Sequence, residues 1–237
     1  MKRIGLIGAM DVEVEIIKKE MEIGRTEERA GLSFCIGRWQ GREIVVVRSG
    51  IGKVNAALCA QILADLYEVG IIINTGVAGG LDPRLHVGDL VVSSGAVEHD
   101  MDVTALGEPY GQVPNMDVHY FEADPDDVEL ALAAGRKVLP EVQMIAGVIC
   151  SGDQFIAGAQ KKEWLIETFG GVCAEMEGAA IAHTCYVNGL PYLVLRGISD
   201  NADGSAGMSY EEFAKLAVVR ITDLVREVVS QLPEQFG

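Results

Sequence analysis

Residues 71–80 read Ile71-Ile72-Ile73-Asn74-Thr75-Gly76-Val77-Ala78-Gly79-Gly80. A run of β-branched apolar residues ending in glycine is the pattern of a short buried strand that opens into a glycine-rich loop. That loop lacks the lysine and spacing of a P-loop and fails the G-x-G-x-x-G pattern, so it is a weak phosphate signal. Upstream, residues 53–67 have helical periodicity, with Val54, Leu58, Ile62 and Leu66 on one stripe. Downstream, 89–97 reads as a strand. The alternation continues in both directions: strand 3–8, helix 11–21, helix 125–139, strand 142–150, helix 160–169, strand 172–175, helix 178–188 and strand 192–198. A last helix, about 209–232, carries Phe213, Ala217, Ile221, Leu224, Val228 and Leu232 on one face. Two further strands, 33–39 and 42–48, join at Gln40-Gly41 as a hairpin. This order predicts an α/β fold, a three-layer α/β/α arrangement around a central twisted mixed sheet. Residues 98–123 form an irregular stretch too long for a plain connection, which suggests a function or an interface. No linker or repeat interrupts the sequence, so residues 1–237 are expected to form a single domain.

Composition excludes several classes of function. The chain has 19 basic and 35 acidic residues, a net charge of −16 that repels phosphate backbones and argues against nucleic acid as a partner. With 49% hydrophobic and 23% charged residues it can bury a sizeable core. Cys35, Cys59, Cys150, Cys173 and Cys185 stand far apart without a C-x-x-C pair, as expected in a reducing compartment. The apolar stretch 4–10 is short and runs into Asp11 and Glu13, unlike a signal peptide. No run reaches the roughly 18 apolar residues of a membrane span. A cytoplasmic protein without membrane contact is expected.

In open α/β sheets, ligands collect beyond the carboxyl ends of the strands. Those ends deliver Gly8-Ala9-Met10 and then Glu13; Ser49-Gly50-Ile51-Gly52; Gly76 to Gly80; Ser151 to Ile156; Glu175-Met176-Glu177; and Ser199-Asp200. Each acid also has a bland explanation. Glu13 in a first helical turn suits the helix dipole, Glu177 before Gly178 suits a helix cap, and Asp200 suits a turn cap. Phe155 is either core or a platform for stacking a base. Metal is not expected: His86, His99, His119 and His183 lack zinc-ligand spacing. The acidic cluster Glu98-His99-Asp100-x-Asp102 reads at least as well as a solvated loop. No G-x-S-x-G elbow is present, so serine-hydrolase chemistry has no support.

Taken as an ordered set, these segments resemble the 5′-methylthioadenosine/S-adenosylhomocysteine nucleosidase family. The matching pieces are Gly8-Ala9-Met10-x-x-Glu13, Ser49-Gly50-Ile51-Gly52-Lys53, Asn74-Thr75-Gly76-x-Ala78-Gly79-Gly80 and His99-Asp100-x-Asp102-Val103-Thr104. To these add Ser151-Gly152-Asp153-x-Phe155-Ile156, Glu175-Met176-Glu177 and Arg196-x-Ile198-Ser199-Asp200. Their order spans essentially the whole chain. The resemblance implies a nucleoside phosphorylase-like fold, a homodimer, no cofactor, and cleavage by water of the bond between adenine N9 and ribose C1′.

By matched position, Glu13 would be the general base and Asp200 the acid that protonates adenine N7. Glu177 would hold the ribose hydroxyls, with Met176 beneath the sugar and Arg196 near the water. Phe155 would stack on adenine and the Ile156 backbone would pair with its edge, with Gly79 and Ser199 also binding substrate. Met10, Ile51 and Tyr210 would meet the 5′ end, together with Val103 and Leu106 from the partner subunit. The resemblance also has departures: Val77 stands where the family usually carries serine, and Leu106 and Glu108 replace aromatic residues along the thio-group wall. A futalosine-type nucleoside hydrolase is the nearest rival reading; a purine nucleoside phosphorylase or a non-catalytic nucleoside-binding protein is less well supported. Phosphorylases of this fold place arginine and serine where this chain has Asn74 and Val77.

Overall fold

Three neighbouring strands form the middle of the sheet: Arg3–Gly8 (β1), Arg42–Arg48 (β4) and Val69–Gly80 (β5), with β1 parallel to both others. Their side chains alternate between two layers, as the pleat requires. Ile4, Leu6, Ile44, Val46, Ile71 and Ile73 face one core, which Asp11–Glu20 (α1), Pro125–Val138 (α3) and Tyr210–Gln231 (α6) cover. Ile7, Val45, Val47 and Ile72 face the other, covered by Lys53–Tyr67 (α2) and Gly178–Asn188 (α5). Helix Ala159–Phe169 (α4) packs its Leu165 and Phe169 into a smaller third cluster. The computed structural model describes residues 2–202 and 210–233; the side chains of 210–213 lie outside the description.

The remaining strands are Glu22–Arg29 (β2), Leu32–Trp39 (β3), Leu90–Glu98 (β6), Phe121–Glu122 (β7), Met144–Ser151 (β8), Gly171–Glu175 (β9) and Tyr192–Asp200 (β10). The order along the sheet is β10-β6-β8-β9-β5-β1-β4-β3-β2, and β10 also pairs with β5. That extra pairing closes β5, β10, β6, β8 and β9 into a circuit and brings the ends of β5, β9 and β10 together. Antiparallel pairs at β3–β4 and β10–β6 make the sheet mixed, as the hairpin predicted.

Three local features differ from the sequence reading. The glycine-rich segment 76–80 is strand, not loop: Gly76 to Ala78 pair with Arg196 to Ile198 of β10, and Gly79 and Gly80 with Ala174 and Cys173 of β9. Strand β2 is additional; it is mostly exposed and charged, which hides it from a hydrophobicity pattern and suits an edge strand. On α2 the face toward the sheet is Ala56, Cys59, Ala60, Leu63 and Tyr67, while Val54 and Leu58 of the predicted stripe are 69% and 54% exposed. On α6 the predicted face is correct from Ala217 to Leu232; Phe213 lies outside the described side chains.

Candidate active site

Six strand ends and the start of α1 converge on one cleft. It is lined by Ala9, Met10 and Glu13 after β1, Ile51 after β4, Val77 to Gly79 on β5, and Phe155 after β8. Ala174 to Glu177 at the β9–α5 junction and Ser199 and Asp200 of β10 complete it.

Glu13 is 2% exposed, and its carboxylate is held by backbone. Oε2 accepts the N–H groups of Ala9 at 2.7 Å and Met10 at 2.9 Å, while Oε1 accepts that of Val77 at 3.1 Å. The favourable place of an acid in the first helical turn is therefore only part of the explanation, since the Met10 bond also closes a capping box. The Val77 bond goes further and ties the carboxylate to β5. Burial raises the carboxyl above its ordinary value, against the opposing pull of Arg196 and the three N–H groups.

Behind the cleft floor, Arg196 on β10 is fully buried. Its Nη2 donates to Asn74 Oδ1 at 2.5 Å and to Glu175, and lies 3.5 Å from Glu177 Oε2. A side chain at Gly76 would overlap both Arg196 Nη1 and Glu13 Oε1, so only glycine leaves room for both groups beside this strand. Thus one guanidinium faces three buried carboxyls, those of Glu13, Glu175 and Glu177. Negative charge is in excess when all three are ionised.

Glu175 and Glu177 divide the work at the start of α5. Glu175 accepts the N–H groups of Glu177 and Gly178 at 3.0 and 2.8 Å, and the hydroxyl of Ser151, so Glu175 caps the helix. Glu177 is released from that role, and its Oε1 instead accepts the Gly52 N–H at 2.9 Å. Burial, followed by the charge of Glu175, pushes the Glu177 carboxyl up to about 7, with Arg196 opposing. Across the cleft, Asp200 is 7% exposed; its Oδ2 accepts the Ser199 hydroxyl at 2.9 Å and its Oδ1 the Ala202 N–H at 2.8 Å. Its turn-capping role is real, and it faces the cleft as well.

The acidic cluster at 98–102 has its own cation. Lys53 Nζ lies 2.9 Å from Glu98 Oε2 and 2.6 Å from Asp100 Oδ1, and His183 Nδ1 lies 2.9 Å from Glu98 Oε1. Among the described residues no group of three His, Cys, Asp or Glu side chains could hold a metal ion.

Residues 3–230 match the family model of the phosphorylase superfamily. Over 236 residues the chain is 42% identical to the 5′-methylthioadenosine/S-adenosylhomocysteine nucleosidase of Halalkalibacterium halodurans, covering 98% of this chain and 100% of that protein. The chain belongs to this nucleosidase family. Its fold matches the family's structure from Colwellia psychrerythraea, solved in complex with adenine, with a TM-score of 0.93 and 37% identity over 99% of this chain and 97% of that one. It also matches the futalosine hydrolase of Helicobacter pylori, with a TM-score of 0.91 and 33% identity over 98% of each chain.

Within this nucleosidase fold, nine residues singled out from the sequence line the cleft: Met10, Glu13, Ile51, Gly79, Phe155, Met176, Glu177, Ser199 and Asp200. Arg196 stands behind it. Ile156 is 8% exposed with its side chain in the third core cluster, so only its backbone is left for a ligand. Val103 and Leu106 do not line the cleft of their own chain; Leu106, in a 3-10 turn at Thr104–Leu106, is 80% exposed. Tyr210 opens α6, and its side chain lies outside the described residues. The sequence reading quotes Glu175 without a role and uses Asn74 only as an argument against a phosphate site. The signal for Glu175 is its position at the end of β9, beside Met176 and Glu177, whereas Asn74 lies mid-strand in β5 with no such marker. No helix among the described residues is long and apolar enough to cross a membrane.

Proposed function

We propose that this cleft hydrolyses the N-glycosidic bond of adenine nucleosides bearing a 5′-thioether substituent, 5′-methylthioadenosine and S-adenosylhomocysteine, and releases adenine. Glu13 acts as the base that orients water and takes its proton. Asp200 donates a proton to adenine N7, turning a poor anionic leaving group into a neutral one. Glu177 binds the ribose hydroxyls and stabilises the cationic sugar. Phe155 and the Ile156 backbone hold adenine, and Met10 and Ile51 meet the 5′ end of the substrate. The excess of carboxylate around Arg196 favours a cationic transition state, because positive charge developing at C1′ offsets it.

The observation that carries this reading is the occupation of the Val77 N–H by Glu13. A phosphorylase needs donors at that strand end to bind phosphate; here the amide already serves a carboxylate. Asn74 is likewise committed, its Nδ2 donating to the Ile7 carbonyl at 3.0 Å and its Oδ1 accepting from Arg196. An anion placed there would face Glu13 and Glu177, so water is the fitting nucleophile.

A panel of methylthioadenosine, S-adenosylhomocysteine, 5′-deoxyadenosine, aminodeoxyfutalosine and inosine, with and without phosphate, tests the assignment. Adenine should be released from the first two at rates that phosphate does not change. The likeness to a futalosine hydrolase favours one second reading, and faster cleavage of aminodeoxyfutalosine than of methylthioadenosine would establish it.

The same reading makes the chain a single catalytic domain, working in the cytoplasm as a homodimer. Val54 and Leu58 of α2, Val187 of α5 and Leu106 leave an apolar surface exposed, and Val54 and Val187 border a groove between the two helices. A second copy seated there would cover them and supply Val103 and Leu106 to the cleft of its neighbour. Leu58→Asp should convert the dimer to a monomer by light scattering and lose activity, whereas an unaltered chain that is monomeric and fully active would contradict it.

A further inference from the structure

Lys53 has no part in the hydrolytic scheme, yet three chain segments meet at it. Its side chain is 16% exposed, and its ammonium joins Glu98, the last residue of β6, to Asp100 two residues further on. Its backbone N–H donates to Asp153 Oδ1 at 2.8 Å, and the Asp153 N–H donates to Asp100 Oδ2 at 2.8 Å. The segments after β4, β6 and β8 are thereby closed into a ring of hydrogen bonds. Gly52, next in the chain, has φ +97°, and a Cβ there would press on Asp153 Oδ1, so this closure also depends on glycine. The Gly52 N–H is the one that holds Glu177. Glu98 also reaches His183 on α5, the helix that Glu177 precedes. Removing the ammonium would leave two poorly solvated carboxylates facing each other, and the segment carrying Gly52 would have to move.

We propose that Lys53 is a positioning residue: by clasping Glu98, Asp100 and Asp153 it fixes the Gly52 N–H against Glu177 and so aims the Glu177 carboxylate at the sugar. This inference rests on the hydrolytic reading of the cleft. The positive charge on the sugar exists in the transition state alone, so a misaimed Glu177 should lower turnover more than substrate binding.

The test measures kcat and KM on methylthioadenosine for full-length Lys53→Met, Lys53→Arg and Asp153→Ala, and repeats Lys53→Met in a Glu177→Gln background. Lys53→Met should lower kcat about tenfold, the loss expected of one charge-assisted contact, with KM within about threefold. Lys53→Arg should recover at least about half of the activity. In the Glu177→Gln background the penalty should shrink to within about twofold, which a general loss of stability would not produce. Should Lys53→Met fail to fold, Asp153→Ala, whose side chain is exposed, carries the same expectation with a kcat loss of about threefold or more. Unchanged kcat in both variants, or an equal penalty in both backgrounds, would overturn the role of Lys53. Failure of the unaltered protein to cleave the nucleoside would instead overturn the hydrolytic reading beneath it.

Discussion

Asp200→Asn is expected to lower turnover of methylthioadenosine by at least about 100-fold, the contribution of a general acid in the departure of a poor leaving group. The side chain keeps its shape: the amide oxygen can still accept the Ala202 N–H, and the Ser199 hydroxyl, which now donates to the carboxyl, can turn to accept from the amide nitrogen. What it cannot do is deliver a proton to adenine N7. A ribosyl substrate with a nitrophenolate leaving group needs no such proton and should lose far less. Equal losses on both substrates, in a variant with unchanged circular dichroism, would make Asp200 a supporting residue and remove the acid from the mechanism.

Glu177→Gln should show opposite signs in activity and stability. Turnover should drop by about 100-fold or more, because the group facing the cationic sugar loses its charge, while KM rises less. Stability should move the other way above neutral pH. The folded state holds the Glu177 proton up to about 7 against an ordinary value of 4.5. A raised carboxyl favours the protonated fold, so its contribution is present below about 4.5 and is lost as pH rises through about 7, a difference of about 3 kcal/mol. The glutamine cannot ionise and still offers an oxygen to the Gly52 N–H. Its melting temperature at pH 8 should therefore exceed that of the unaltered protein by about 6 °C or more, with the gap closing toward pH 4.5. A variant that melts lower at pH 8 would mean that the carboxylate stabilises the fold through Arg196 more than its burial costs. For the same reason, the activity of the unaltered protein should fall as pH drops through about 7.

Much of this arrangement was legible in the sequence, because strand ends are where chain direction, glycine and acids coincide. Glu13, Glu177 and Asp200 could be chosen on that basis, and all three face one cleft. Their individual weakness as signals was also correct in part, since Glu13 and Asp200 do cap local backbone. Long-range partnership was not legible. Only the pairing of β5 with both β9 and β10 brings Asn74, Glu175 and Arg196 together, and no local pattern encodes that closure. The same limit explains the glycine-rich segment: local composition says loop, while two neighbouring strands make it strand. Strand β2 was hidden by its charge. On α2, a stripe that looked like core is the exposed one, because small residues on the opposite face let the helix lie close to the sheet.

The central claim is that water, not phosphate, attacks the sugar. Its most direct test is to incubate the protein with methylthioadenosine in phosphate-free water enriched in oxygen-18 and to analyse both products by mass spectrometry. The structure predicts free adenine together with methylthioribose carrying one heavy oxygen on C1, at a rate unchanged by added phosphate. Adenine that appears only when phosphate is supplied, with a sugar 1-phosphate as the second product, would contradict the account.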